Sequence, residues 1–385
     1  MKRPIDPKMM LEAIKYSNDS LEYAGIQNCV IDNEVRERFK KHQLVTATKI
    51  VPELFPTICK AADDVKNILA PEYKLEVYVK NNADFQASCF PGVNNSISVV
   101  LNSGLVQLCS VDELRFVVGH EVGHYLFKHY LYPRAEEAQN QVEKLNILAL
   151  LRAAEITADR SGFVCVQNKE NAFKAILKLA TGLPDDFIRF NLSAYLRQAK
   201  ELQDMGGDEY SLLHTHPACC TRMRALLWFD MSEVYYEWAG LGDCAPINAC
   251  ELNKRVTHDL SLASGFRLTE INKKEIEQAL FWGVLALFVS DGCFSKAEQI
   301  LLTQNFGESG VDIALDYLRE FGPDAVINKF ESILQSIRFV DKTSKRSLFE
   351  DIERFSKLAG GEVSKLETVL MRTANLMNFH QLAGK

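Results

Sequence analysis

Apolar residues recur along this chain with two different periods, and the switches between them divide it. Helical spacing is predicted over 8–16, 34–41 and 51–70, the last with Pro52 near its start. The pattern then alternates. "YKLEVYVKN" (73–81) reads as a strand, and "ADFQASCF" (83–90) as a second. After the turn residues "PGVNN", "SISVVLNSG" (96–104) reads as a third. Helical spacing resumes at Val111 and continues through His129, a further helix covers about 136–168, and more helices follow to about 230. The stretch 239–255 is rich in Gly, Pro, Asn and Asp and reads as a connection; everything beyond it reads as helix and turn. The expected organisation is an N-terminal helical extension (1–45), an α+β domain with a small sheet packed on helices (46–238), a linker (239–262) and an all-α domain (263–385).

Composition narrows the function. A chain of 385 residues is too long for one ordinary core, which fits two domains. A net charge of −7 without a cluster of Lys and Arg argues against a nucleic-acid partner. The N-terminus lacks the apolar stretch of a secretory signal. The longest apolar run, Ala279 to Val289, is too short to span a bilayer and reads as a buried helix, so no integral membrane segment is expected. Ten cysteines without a C-x-x-C pair suggest reduced, mostly buried thiols and a cytoplasmic protein.

The chemistry is carried by "VVGHEVGHYLFKH" (117–129). Positions four apart share a helix face, so His120 and His124 can converge on one zinc ion. Glu121 sits about 100° around the helix, beside the ion, where it suits a general base acting on a water that the metal activates. Gly119 and Gly123 each weaken the helix by about 1 kcal/mol relative to Ala. A helix that tolerates both needs close backbone approach there. Catalytic zinc takes three protein ligands and keeps a place for water. In "RAAEITADR" (152–160), Glu155 and Asp159 lie four apart among alanines. Glu155 is the expected third ligand. Asp159 is expected to accept from the free N–H of a ligand histidine and fix its tautomer. In "HTHPACCTR" (214–222), His216 fits one of two roles, donating to the oxyanion of a tetrahedral intermediate or binding the metal at rest. His129, five residues past His124, is expected off the zinc face.

These residues carry a resemblance. The stretch from about Val51 to Leu227 resembles the HtpX and CAAX-prenyl-protease family of zinc metallopeptidases, a gluzincin group, through four motifs in the family's order. They are "LEVYVKNNADFQASCFPG", the strand and helix ending in His-Glu-x-Gly-His, "EITAD", and "THPACCTR". The resemblance implies a zincin-like α+β fold, one catalytic zinc on His120, His124 and Glu155, Glu121 as base, and His216 with Arg222 near the active site. Many relatives carry transmembrane helices or are exported. This chain shows neither feature, so a prenylated or membrane-embedded substrate is not carried over. Residues 263–385 resemble the TerB-like helical domain linked to tellurite resistance, through "SDGCFSKAE" (290–298) and its echo "AGGEVSKLE" (359–367). Acidic residues near such turns can bind metal, and Asp291 and Glu298 stand in the first copy, but Gly360 replaces the Asp in the second. Capping boxes, Ser295 with Glu298 and Ser364 with Glu367, account for the same residues without metal.

The expected function is a soluble zinc endopeptidase acting on a protein or peptide. The strand at Ser96–Leu101 is expected to offer an edge to an extended substrate, and the helical domain to gate the cleft or engage a protein partner. The competing expectation is a latent or non-catalytic zinc-binding stress-response module whose helical domain carries the function.

Overall fold

A computed structural model describes residues 7–19, 31–242, 244–264, 267–290, 292–358 and 373. They fall into two compact units. Among the described residues the first draws on 7–19, 31–132 and 149–264, and the second on 133–148, 267–358 and 373.

The first unit opens with α1 (Pro7–Ile14), α2 (Asn33–Thr46), β1 (Thr48–Lys49) and α3 (Pro56–Leu69). The alternating segments form β2 (Lys74–Lys80), β3 (Ala87–Pro91) and β4 (Ser96–Asn102). The sheet order is β1-β2-β4-β3. β2 and β4 run parallel with Val77 opposite Val99, and β3 returns antiparallel with Cys89 opposite Val99. The expectation of an edge at Ser96–Leu101 is therefore corrected. β4 is an inner strand, all seven of its residues are buried, and among the described residues the edges are β1 and β3. Its apolar run Val99-Val100-Leu101, which does not alternate, is the mark of a strand covered on both faces.

α4 (Ser103–Leu108) leads to α5 (Val111–Leu126), which begins with a reciprocal cap. Ser110 Oγ accepts from the Glu113 amide at 3.3 Å, and Glu113 Oε2 accepts from the Ser110 amide at 2.7 Å. Lys178 Nζ donates to the same Glu113 carboxylate at 2.7 Å, which pins the start of α5 to a neighbouring helix. α5 ends before His129, where continuous helix was expected. Lys128 takes the left-handed conformation and a short 3-10 turn, His129–Leu131, follows.

The remaining helices are α6 (Gln141–Val166), α7 (Lys169–Thr181), α8 (Leu192–Asp204), α9 (Cys219–Asp230), α10 (Glu233–Ala239) and α11 (Ala249–Ala263). Only Ala149–Val166 of α6 belongs to the first unit. The stretch read as a linker thus contains α11, capped by Asn248 and burying Leu252 and Val256 in the first unit's core. Ile14 and Tyr16, from the stretch read as an extension, are fully buried in the same core.

Among the described residues the second unit is helical. It includes α12 (Arg267–Phe288), α13 (Lys296–Phe321, interrupted at Gly307), α14 (Pro323–Ser336) and α15 (Lys342–Leu358), around a core that includes Leu285, Leu302, Phe330 and Ile352. Residues 133–148 group with it rather than with the sheet: Arg338 reaches buried Glu143 at 2.7 Å, and Asn146 and Asn272 exchange amide hydrogen bonds at 2.9 Å. Ser295 and Glu298 form the expected capping box. Asp291 and the second copy, with Gly360, Ser364 and Glu367, lie outside the described residues. Among the described residues no helix is long and apolar enough to cross a membrane. Among the described cysteines only Cys165 and Cys220 are buried while Cys244, Cys250 and Cys293 are exposed, which corrects the expectation of mostly buried thiols.

Candidate metal centre

Two helices build the site. α5 supplies His120 and His124 one turn apart, and α6 crosses it with Glu155 and Asp159, also one turn apart. The crossing is close because of the glycines. A Cβ on Gly123 would stand 2.6 Å from Ser161 Cβ, and one on Gly119 would stand 2.8 Å from Cys165 Sγ. Only hydrogen at these positions lets the backbones approach, as the sequence implied.

Among the described residues the group of histidine, cysteine or acidic side chains that could share one ion is His120, His124 and Glu155, with ligand atoms all within 4.8 Å of one another. The two Nε2 atoms are 3.0 Å apart. His120 Nε2 is 3.5 Å from Glu155 Oε2, and His124 Nε2 is 3.4 Å from Glu155 Oε1. Ligands 2.0–2.2 Å from a tetrahedral zinc stand about 3.3 Å apart, so these spacings suit it. The chemistry of the donors agrees. His120 Nδ1 lies 3.0 Å from the Asp159 carboxylate, which can only accept, so the ring proton sits on Nδ1 and Nε2 presents a lone pair. Glu155 Oε2 is buried without a hydrogen-bond partner. Lone pairs and an orphaned carboxylate oxygen converging on one point call for a cation.

The electrostatics point the same way. Burial alone would push the Glu155 carboxyl up, but His124, His120 and His216 hold it well below the usual range. Burial pulls His124 down, but the neighbouring carboxylates, Glu155 first and then Glu121 and Asp19, together outweigh that and raise it. Asp159 is likewise disfavoured by burial but lowered by Arg222, whose Nε and Nη2 donate to it at 2.8 and 2.6 Å. Arg222 is thus spent on Asp159 and does not face the cleft as a free donor. Glu121 sits on α5 between the two histidines, 9% exposed.

His216 arrives from the loop before α9. Its Nε2 lies 3.3 Å from Glu155 Oε1 while its side chain is 61% exposed, so the site opens to solvent on this side. The loop is tethered by Arg152, one turn before Glu155 on α6, whose Nη1 donates to the carbonyls of Leu212 at 3.1 Å and His214 at 2.9 Å. Burial lowers this guanidinium to about 10. The sequence reading gave Arg152 no such part.

It also set His129 aside. His129 Nδ1 stands 2.7 Å from His124 Nδ1, and its Nε2 stands 2.9 Å from Asp19, which also accepts from the Tyr132 hydroxyl. A five-residue spacing hides this contact because it arises only where the helix stops.

Comparison with known proteins bears on this stretch. The sequence profile of Peptidase family M48 matches residues 57–146 and 136–228. The segment that holds the site is M48-like. It contains every ligand candidate, together with Glu121, Asp159, His216 and Arg222. The chain is similar to the plastoglobule-localized metallopeptidase 48, chloroplastic, of Arabidopsis thaliana, at 26% identity over 153 residues, which are 36% of this chain and 43% of the relative. It therefore spans less than half the length of that relative. No solved structure matches. The M48 match and the His-His-Glu cluster together support a metallopeptidase.

Proposed function

We propose that the chain is a zinc-dependent endopeptidase. The observation that carries the proposal is the meeting of His120 Nε2, His124 Nε2 and the unpartnered Glu155 Oε2 at one point, with Glu121 on the same helix turn as the histidines. His120, His124 and Glu155 would hold the ion. Bound there, zinc supplies Lewis-acid polarisation of the scissile carbonyl and acidifies a water.

The chain's own residues do the rest. Glu121 takes a proton from the attacking water and returns it to the leaving amine. Asp159 keeps the His120 proton on Nδ1, and Arg222 holds Asp159 in place. His216 reaches in from the open side and donates to the developing oxyanion. Substrate lies along β3, which packs against α5. Hydrogen bonds from the Gly92 amide to Ser96 and from the Asn102 amide to Gln86 set the ladder. Ser88 and Phe90 therefore pair inward with β4, while Ala87 and Cys89 turn N–H and C=O outward. An extended peptide adds to that edge through its main chain, which gives broad sequence tolerance. Kinship with the HtpX and CAAX proteases, a TerB-like character for the helical unit and a cytoplasmic location complete this reading.

The test is Glu121→Gln. It is expected to keep zinc and fold and to lower casein cleavage by about 10²–10⁴-fold. Unchanged turnover would remove Glu121 from the mechanism and the endopeptidase reading with it.

A second reading rests on the 3.3 Å between His216 and Glu155. That spacing also suits a fourth ligand, so His216 can close the site at rest and leave a latent zinc protein. His216→Ala separates the two. Lower kcat supports the oxyanion role, and higher activity supports latency.

A further inference from the structure

On an unbroken helix His129 would leave the face that carries His120 and His124. The chain prevents this at Lys128, whose φ of 60° and ψ of 32° lie in the left-handed region. That conformation costs a non-glycine residue about 1–2 kcal/mol, and backbone held this way gathers at functional sites. The turn folds the His129 ring back onto His124, between Phe127 and Tyr132.

The proton positions along the resulting chain follow from its far end. Asp19 is fully buried and can only accept, so His129 Nε2, 2.9 Å away, carries hydrogen. A neutral His129 then has a bare Nδ1. The His124 Nδ1 that stands 2.7 Å from it must donate, and His124 Nε2 is left as a lone pair. His120 receives the same service directly from Asp159.

Asp19 is itself held by a buried anchor. The Tyr16 amide donates to Thr157 Oγ1 at 3.1 Å, and Arg160 Nη1 donates to the Ile14 carbonyl at 3.2 Å. The Arg160 guanidinium lies between the Tyr16 and Phe229 rings, at 5.6 and 5.4 Å. Thr157 and Arg160 flank Asp159 on α6, so the helix that brings Glu155 also seats the N-terminal segment.

We infer that His129 and Asp19 are positioning residues of the metal centre. Through one directed chain of hydrogen bonds they keep the His124 proton on Nδ1 and its Nε2 lone pair turned to the ion. The N-terminal segment is thereby part of the centre. The inference rests on the zinc reading above, and its test separates the two.

Metal-free protein, isotope-labelled at the histidine nitrogens, is read by two-bond proton–nitrogen correlations. His124 is expected in the Nδ1–H form. An Nε2–H His124 overturns the inference with no variant needed. Competition with a chromophoric chelator then compares two substitutions for zinc affinity. His129→Phe keeps a ring but has no acceptor, and His129→Asn keeps an acceptor oxygen near the place of Nδ1 without the ring. The zinc Kd is expected to rise about 10–100-fold in the Phe variant and to stay near wild type in the Asn variant. Equal loss in both, or greater loss in the Asn variant, makes His129 a packing residue and overturns the inference. A wild-type chain that takes up no zinc would instead overturn the reading of the site.

Discussion

Arg222→Met is the sharpest perturbation the site offers, because it separates what Arg222 does for the fold from what it does for the metal. The Asp159 side chain is 1% exposed and that of Arg222 is 8% exposed. Removing the guanidinium leaves a buried carboxylate with only the His120 Nδ1 hydrogen. Breaking one side of a buried pair costs about 3–5 kcal/mol. For a folding unit of this size each kcal/mol lowers Tm by about 2–4 °C, so the metal-free variant should melt about 6–20 °C early. Asp159 also loses its anchor, and zinc affinity should fall about 10–100-fold. The double variant Asp159→Leu with Arg222→Met replaces the pair by apolar groups, an exchange that is often neutral in a core. It should melt near wild type yet remain poor at binding zinc, because His120 then has no acceptor. Scanning calorimetry without metal and chelator competition with it read the two quantities apart. A single variant that melts within a degree or two of wild type would refute the reasoning, as would a double variant that recovers zinc affinity.

Two further substitutions probe the scaffold. Gly123→Ala gains about 1 kcal/mol of helix propensity, but its methyl would meet Ser161 Cβ at 2.6 Å. Overpacking of about 1–3 kcal/mol should win, so both Tm and zinc affinity fall; a more stable variant with intact zinc binding would count against the close crossing. Glu76, buried between Lys40 at 3.2 Å and Lys49 at 2.7 Å, gives a pH signature. Burial would raise its carboxyl, but the lysines outweigh this and hold it below its ordinary value of 4.5. Its contribution is therefore present above the unfolded value and lost as pH falls through the lowered folded one. Glu76→Gln should be about 1–2 kcal/mol less stable at pH 7, and urea midpoints should show that gap closing as the medium is acidified. A gap independent of pH would mean that the lysines do not stabilise the carboxylate.

Local pattern and tertiary placement differ in how far a sequence reveals them, and the last turn of α5 shows where the line falls. The pairs His120/His124 and Glu155/Asp159 are legible because a helix converts a spacing of four into a shared face. Gly119 and Gly123 are legible because their helix penalty demands a packing reason. The N-cap Asn248 and the stripe Leu252, Val256 were also within reach, hidden only by the turn-rich residues before them. Strand order was not, since nothing local says that β3 turns back outside β4. Asp19 was out of reach for another reason: 110 residues separate it from His129, and no spacing rule covers such a contact.

His129 fails at one dihedral angle. If Lys128 continued the helix, His129 would point away from the metal face; with φ at 60° it returns to His124. The substitution that isolates this angle is Lys128→Val. A β-branched residue is a genuine outlier at positive φ, so the variant must store more strain or straighten the turn. Lys128→Gly adopts the angle freely and gives back only about 0.5–1 kcal/mol of chain entropy. Zinc affinity should therefore survive in the Gly variant and fall in the Val variant, although neither residue touches the metal ligands through its side chain. If the two variants bind zinc alike, the left-handed turn is incidental and His129 reaches His124 without it.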